Sequence, residues 1–137
     1  MPHARFTTHR STTIATTHLA TRVYGGLTAT YGAYALARPE HLARQTGIDP
    51  ATARTLGRLF GVRDIVSGLS LLVADSPRAR IRALRLRVAL DTADAVGFAG
   101  LAPLPSGRTR GAVAGGTWAV IALALLGAHA RTGSADR

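Results

Sequence analysis

Charged residues interrupt two apolar runs of this 137-residue chain. The run FGVRDIVSGLSLL contains Arg63 and Asp64, and the run RVALDTADAVGFAG contains Asp91 and Asp94. Carboxyl groups in apolar surroundings can divide into a protonated acid and an ionised base, and a nearby arginine favours the ionised form. The residue types therefore indicate acid–base chemistry, with Asp94 as the acid, Asp64 as the base and Arg63 as the orienting cation.

The spacing of the second set places its charges on one face of a helix. Arg87, Asp91, Asp94 and Phe98 follow one another at i, i+4, i+7 and i+11. Arg87 and Asp91 can form an ion pair directly. Asp94 lies a turn deeper without a partner on its own helix, so we expect it to be the least paired carboxylate.

Asp64 shares a helix face with glycines. Gly57, Gly61, Asp64 and Gly68 form one stripe, and Gly57-x-x-x-Gly61 is a close-packing pattern between helices. This stripe predicts that another helix packs against it and that Asp64 points into the interior. Arg63 lies about 100° further round the helix, where Ser67 and Ser70 complete a polar strip.

Other residues are expected to support the charged cluster. Arg22 lies four residues after His18 and is placed in the same interior, and two tyrosines seven residues apart occupy one helix face. The predicted substrate-binding or supporting residues are Asp91, Arg22, Arg87, Ser67, Tyr24 and Tyr31.

Four apolar segments must position these residues. A bilayer core requires about 20 apolar residues in a helix, and the segments at 18–37, 55–74, 83–101 and 111–130 have that length, the last without any charge. Asp49 with Pro50 is expected to start a short helix in the connection at 40–54, and SGRTRG is read as a turn. The prediction is an all-α, four-transmembrane-helix bundle in a single domain, 1–137, with flexible ends at 1–13 and 131–137.

The arginine distribution predicts the orientation of this bundle. All 17 basic residues are arginines and the formal charge is +10. The run RARIRALRLR at 78–87 leads directly into an apolar segment, as at a cytoplasmic membrane flank. We therefore predict a multi-pass protein of the cell membrane with both termini on the same, cytoplasmic side, rather than a nucleic-acid-binding domain.

Several classes of site are excluded or not expected. The chain has no cysteine, so disulfides and thiolate chemistry are excluded. No group of residues has the spacing of a metal site and no phosphate-binding loop is present, so we expect no metal and no cofactor. The expected partners are membrane lipid, a lipophilic small-molecule substrate and a second copy of the chain bound through glycine-rich helix faces.

The stretches GRLFGVRDIVSGLSLL and RVALDTADAVGFAG resemble the small membrane proteins of domain-of-unknown-function family 4267. The resemblance rests on Gly61, Arg63 and Asp64, followed by Asp91 and Asp94. It implies a four-helix integral membrane protein and gives no activity. Four-span bundles of the DoxX type are a competing assignment.

Three functions follow from these observations. The first is a membrane-embedded epoxide hydrolase or cyclase, because a carboxylic acid can protonate an epoxide oxygen while a carboxylate activates water. The Asp–Arg–Asp arrangement is similar to that of soluble limonene-epoxide hydrolases. The second is a non-catalytic accessory or lipid-binding module in which the charges fix helix assembly, and the third is a soluble basic four-helix domain that binds nucleic acid. A proton or ion path is a further role open to the charged cluster.

Overall fold

The computed structural model describes the backbone of residues 3–134 and the side chains of residues 12–132. This part of the chain is entirely helical apart from short connections, which confirms the all-α prediction. It contains five helices rather than four: α1 His3–Ala37, α2 His41–Thr46, α3 Pro50–Leu72, α4 Pro77–Leu101 and α5 Pro105–Ser134.

Helices α1 and α3 form a tight antiparallel pair because glycines stand at the points where their backbones meet. A Cβ atom on Gly25 would lie 2.7 Å from the carbonyl oxygen of Gly68, and one on Gly32 would lie 2.6 Å from that of Gly61. No larger residue fits at such separations. Gly61 and Gly68 of the predicted stripe therefore pack within the chain, against α1, and Gly57 packs against Pro39. Binding of a second copy through glycine-rich faces stays a prediction.

Helices α4 and α5 form the second antiparallel pair. A Cβ atom on Gly115 would lie 2.7 Å from the backbone nitrogen of Ala95, and one on Gly111 would contact the Phe98 side chain. The two pairs touch each other much less closely than their members do. Charged side chains of α3 and α4 fill part of the space between the pairs.

The described side chains of α1 begin at the end of the bundle at which α5 finishes. The rings of His18 and His129 stack with centroids 5.5 Å apart, and Thr21 Oγ1 lies 2.9 Å from His129 Nε2. Helix α2 and the first turns of α3 and α5 lie at the opposite end, where Gly107 packs against Thr46.

Capping residues and prolines set the starts of α3 and α4. Asp49 accepts hydrogen bonds from the backbone nitrogens of Ala51 and Thr52, both at 3.0 Å, and Pro50 occupies the first helical position. Hydrogen bonds from Thr52 hold the pKa of the Asp49 carboxyl below its ordinary value of 3.8. Ser76 and Pro77 start α4 in the same way. Proline is suited to these positions because its missing N–H would have no partner there.

Two local predictions are wrong. Asp49 starts the long helix α3 itself, so this helix begins before the predicted residue 55, and the short helix of the connection is α2 instead. The predicted turn SGRTRG lies within α5, because Pro105 acts as a helix start after the break at Pro103. The predicted helix ends at Ala37 and Leu101 are confirmed.

One helix of the described residues, over Pro105–Thr132, is long and apolar enough to cross a membrane. Only 6% of its apolar window is buried, in contrast to the core helix of a water-soluble bundle. The other three long helices carry charges in the corresponding regions, so the four-span arrangement stays a prediction. The flexibility predicted for 1–13 and 131–137 lies partly outside the described residues and also stays a prediction.

Candidate functional site

The guanidinium of Arg63 joins two carboxylates. Its Nη1 and Nη2 atoms donate to Oδ1 and Oδ2 of Asp94 at 2.8 and 2.7 Å. Its Nε and Nη2 atoms donate to Oδ1 of Asp64 at 3.1 and 2.9 Å. The Arg63 guanidinium also lies over the Phe60 ring, 4.9 Å from the centroid. The fork holds α3 against α4 through paired hydrogen bonds of the kind that arginine forms with carboxylates.

Arg87 forms the second, more deeply buried bridge. Its Nη1 atom donates to Asp64 Oδ1 at 2.7 Å and to Ser67 Oγ at 3.2 Å, and its Nη2 atom donates to Asp91 Oδ1. Arg87, Asp64 and Asp91 are exposed by only 3%, 4% and 2%. The predicted pairing of Arg87 with Asp91 and the predicted interior position of Asp64 are both confirmed.

Tyr24 extends the network to α1 and α5. Its hydroxyl donates to Asp91 Oδ2 at 3.0 Å and lies 3.3 Å from the carbonyl oxygen of Trp118. The Tyr24 and Trp118 rings are 5.3 Å apart. Both oxygens of Asp91 therefore have donors, as expected of a structural carboxylate.

The expectation that Asp94 is the least paired carboxylate is wrong. Asp94 has no partner on its own helix, but Arg63 reaches it from α3 and donates to both of its oxygens. Asp64 Oδ1 accepts from both arginines, whereas no described residue donates to Asp64 Oδ2. The free acceptor of the cluster therefore belongs to Asp64.

Arg22 does not join the cluster. Its side chain is exposed on α1, because it precedes Tyr24 by about 200° of helical rotation and Tyr24 is the residue that faces the interior. Ser67 is buried behind Arg87, donates to the Asp64 carbonyl oxygen and is absent from the cavity wall. Its part in the site is to hold Arg87.

A cavity of about 250 Å³ lies between the two helix pairs. Its wall includes Arg63, Asp64, Arg87, Asp91 and Asp94, and aromatic side chains cover much of the remainder. The aromatic wall residues are Tyr31, Phe60, Phe98 and Trp118. The cavity thus brings the predicted catalytic residues together beside an apolar surface.

The cavity wall also contains residues that the sequence analysis did not select. Thr28, Thr46, Gln45 and Arg110 line it, and Arg110 comes from the predicted turn that is part of α5. His41 lies behind the wall, with Nε2 3.1 Å from the Tyr31 hydroxyl. The short helix α2 places His41, Gln45 and Thr46, whereas Thr28 comes from α1 and Arg110 from α5. Nothing in the apolar periodicity of the sequence indicated that α2 contacts the cluster.

A second polar cluster lies at the end of the bundle where α5 finishes. Arg80 donates to the carbonyl oxygens of Ala74 and Asp75 and lies 3.0 Å from His18 Nε2. His18 stacks on His129. The two histidines thus stack on each other, and all three nitrogens of the Arg80 guanidinium have partners.

Among the described residues, no three histidine, aspartate or glutamate side chains form a group that could hold a metal ion. The site consists of two guanidiniums, three carboxylates and a tyrosine, which suits hydrogen-bond recognition and proton exchange. No family model, curated protein or solved structure matches this chain.

Proposed function

We propose that the chain is a polytopic membrane protein that binds a lipophilic small molecule in the cavity and performs acid–base chemistry on it. In this proposal α1, α3, α4 and α5 cross the bilayer, with both termini in the cytoplasm. The reaction is of the epoxide hydrolase or cyclase type. The resemblance to family 4267 supports the fold and the membrane location in this proposal, and it implies no activity.

The membrane part of the proposal rests on a distribution of polarity opposite to that of a water-soluble protein, with large apolar side chains on the outside and charged side chains inside. Large apolar side chains of α3 point outward, with Leu59 and Val66 each exposed by 60%, while Asp64 and Arg87 are buried. Helices α3 and α4 have 23 and 25 residues, about 35 and 38 Å at 1.5 Å per residue, which exceeds a bilayer core of about 30 Å. Charges inside a helix bundle are what lipid surroundings require.

The chemical part rests on the free oxygen of Asp64. The cluster contains three carboxyls and two guanidiniums, so it can bind one proton without leaving an arginine unpaired. Asp64 Oδ2 is the carboxylate oxygen to which no described residue donates, and Asp64 lines the cavity. Both oxygens of Asp94 accept hydrogen bonds from Arg63, so neither is free to exchange a proton with a ligand. We therefore assign proton exchange with the ligand to Asp64 and give Asp94 the task of orienting Arg63.

In a ring opening, protonated Asp64 donates its proton to the epoxide oxygen as the carbon–oxygen bond breaks. Water forms the new bond to carbon and loses a proton, which returns to Asp64. The net reaction is epoxide plus water to diol. The small cavity, below the roughly 300–1,000 Å³ of sites for drug-sized ligands, favours substrates of terpenoid size.

Limonene oxide is the substrate with which to test this activity, using purified protein in lipid nanodiscs and measuring diol formation. We expect turnover by the wild-type protein and by Asp75→Asn, whose side chain lies in the exposed connection before α4. Asp64→Asn should abolish turnover while the variant still accumulates in the membrane. Asp64→Asn turning over at the wild-type rate would contradict the catalytic assignment.

The alternative function is a non-catalytic membrane module, whether an accessory subunit or a lipid binder. One observation favours it: Arg63 and Arg87 together give donors to five of the six carboxylate oxygens when the Tyr24 hydroxyl is included. A cluster in which nearly every carboxylate oxygen has a donor can fix how the helices assemble without taking part in any reaction. Recovery of one reproducible partner protein from mild detergent, with no turnover of limonene oxide, would support this alternative.

A further inference from the structure

The hydrogen bonds of His41 determine which way its neighbour Tyr31 donates. His41 Nδ1 lies 2.6 Å from the carbonyl oxygen of Arg38. A carbonyl oxygen only accepts, so Nδ1 carries the hydrogen and Nε2 of the neutral ring is the acceptor. The Tyr31 hydroxyl, 3.1 Å from Nε2, is therefore the donor. Its single proton points to His41, and its oxygen presents a lone pair to the cavity that Tyr31 lines.

The threonines of the cavity wall, like Tyr31, direct their hydroxyl protons away from the cavity. Thr28 Oγ1 donates to the carbonyl oxygen of Tyr24 at 2.9 Å, and Thr46 Oγ1 donates to that of Leu42 at 2.7 Å. Such back-bonding to the preceding turn is usual for helical threonine. It uses the hydroxyl proton and leaves only acceptor capacity for a molecule in the cavity.

Asp64 adds the strongest acceptor. Its Oδ1 receives both arginines, and no described residue donates to its Oδ2. The Arg63 guanidinium is directed at Asp64 Oδ1 and Asp94, and Arg87 Nε, which has no partner among the described residues, is enclosed by protein. Gln45 and Arg110 also line the cavity and, like Tyr31, are exposed, so their donors can turn to solvent.

We propose that the resident ligand of this cavity is a lipophilic alcohol or diol, whose hydroxyl donates to Asp64 Oδ2 and to the Tyr31 oxygen. This rests on the proposed function and narrows its ligand class. An aldehyde or ketone of the same size has no hydrogen to donate to Asp64 Oδ2 or to the Tyr31 oxygen, and an epoxide is held there only while Asp64 carries the proton of the ring opening. A diol can donate to both groups, and a diol is what water makes from an epoxide.

His41 is the positioning residue of this arrangement, since it acts on the ligand only through Tyr31. It holds the tyrosine proton away from the cavity and so keeps the Tyr31 oxygen an acceptor. Helix α2, six residues long, brings His41 to this place between α1 and α3. The short helix therefore contributes to ligand selection as well as connecting two longer helices.

Three probes with one carbon skeleton test the proposal: perillyl alcohol, perillaldehyde and limonene. Trp118 is the single tryptophan of the chain and lines the cavity, so its fluorescence titration reports occupancy in nanodiscs. We expect the unmodified protein to bind the alcohol about tenfold more tightly than the aldehyde, as one good hydrogen bond allows, and limonene no more tightly than the aldehyde. Equal affinity for alcohol and aldehyde would overturn the proposal.

Two tyrosine variants test whether the Tyr31 hydroxyl is the group that binds the alcohol. Tyr31→Phe should weaken alcohol binding about three- to tenfold and leave limonene binding unchanged. Tyr34→Phe is the control, because Tyr34 packs 5.0 Å from the His41 ring without lining the cavity. An equal loss in both variants would overturn the role of Tyr31. Absence of binding by all three probes to the unmodified protein would instead contradict the proposed cavity function, and the ligand class with it.

Discussion

Arg87 on α4 donates to Asp64 on α3 at 2.7 Å, and this bond links the two helix pairs of the bundle. Within each pair, glycines bring backbones into direct contact. Between the pairs there is little such packing, and charged side chains span the gap. The cluster thus connects the two pairs, beside an apolar core of Tyr24, Leu71, Leu84 and Ala122, and it forms part of the wall of the cavity between them.

Removing the Arg87 charge should destabilise the fold strongly. Arg87→Gln leaves Asp64 and Asp91 buried without their shared partner, and breaking a buried pair costs about 3–5 kcal/mol in free energy of unfolding. The same change at Arg85, which is exposed on the same helix, should cost under about 0.5 kcal/mol. Unfolding equilibria in mixed micelles measure both, and similar losses for the two variants would contradict the role given to Arg87.

Substitution by alanine should change the stability of the fold differently at two adjacent glycines of α1. A Cβ atom on Gly25 would meet the Gly68 carbonyl oxygen at 2.7 Å, whereas one on Gly26 would meet nothing within 4 Å. Gly25→Ala should therefore cost about 1–3 kcal/mol through overpacking. Gly26→Ala should be neutral or stabilise by up to about 1 kcal/mol, because alanine favours the helix. Equal effects would show that α1 does not pack on α3 in this register.

The cap of α3 predicts a dependence of stability on acid. Hydrogen bonds from Thr52 lower the pKa of Asp49 in the folded protein, so its stabilising contribution is complete at neutral pH and is lost as pH falls below about 4. We expect Asp49→Ala to lower the unfolding midpoint at pH 7 and to have a smaller effect at pH 3. Asp49→Asn, which retains a capping oxygen, should be nearly independent of pH. A deficit in Asp49→Ala that is the same at both pH values would exclude the charged cap.

The sequence predicted the parts of this structure that depend on local signals. The predicted ends of α1 at Ala37 and of α4 at Leu101 each precede a proline by two residues, Pro39 and Pro103, and proline cannot continue a helix. The spacing of Arg87 and Asp91 predicted their ion pair. The glycine pattern of α3 predicted a close helix contact. Each of these follows from residues within a few turns of one helix.

The parts that could not be predicted depend on contacts between helices. Arg63 pairs with Asp94 across 31 positions of sequence, and only the three-dimensional arrangement shows that Arg22 lies outside the cluster. Helix α2 is too short for a periodic pattern, so the contact between His41 and Tyr31 had no signal in the sequence. The patterns of single helices therefore identified the charged residues but left Asp94 without a partner.

The central claim is that lipid surrounds the outward apolar faces while the chain crosses the bilayer repeatedly. The chain has no cysteine, so single-cysteine variants labelled with a membrane-impermeant maleimide in sealed vesicles test it directly. Asp75→Cys should react only in inside-out vesicles, Ser106→Cys only in right-side-out vesicles, and Val66→Cys in neither. Reaction of Val66→Cys, or of Asp75→Cys and Ser106→Cys from the same side, would contradict the account.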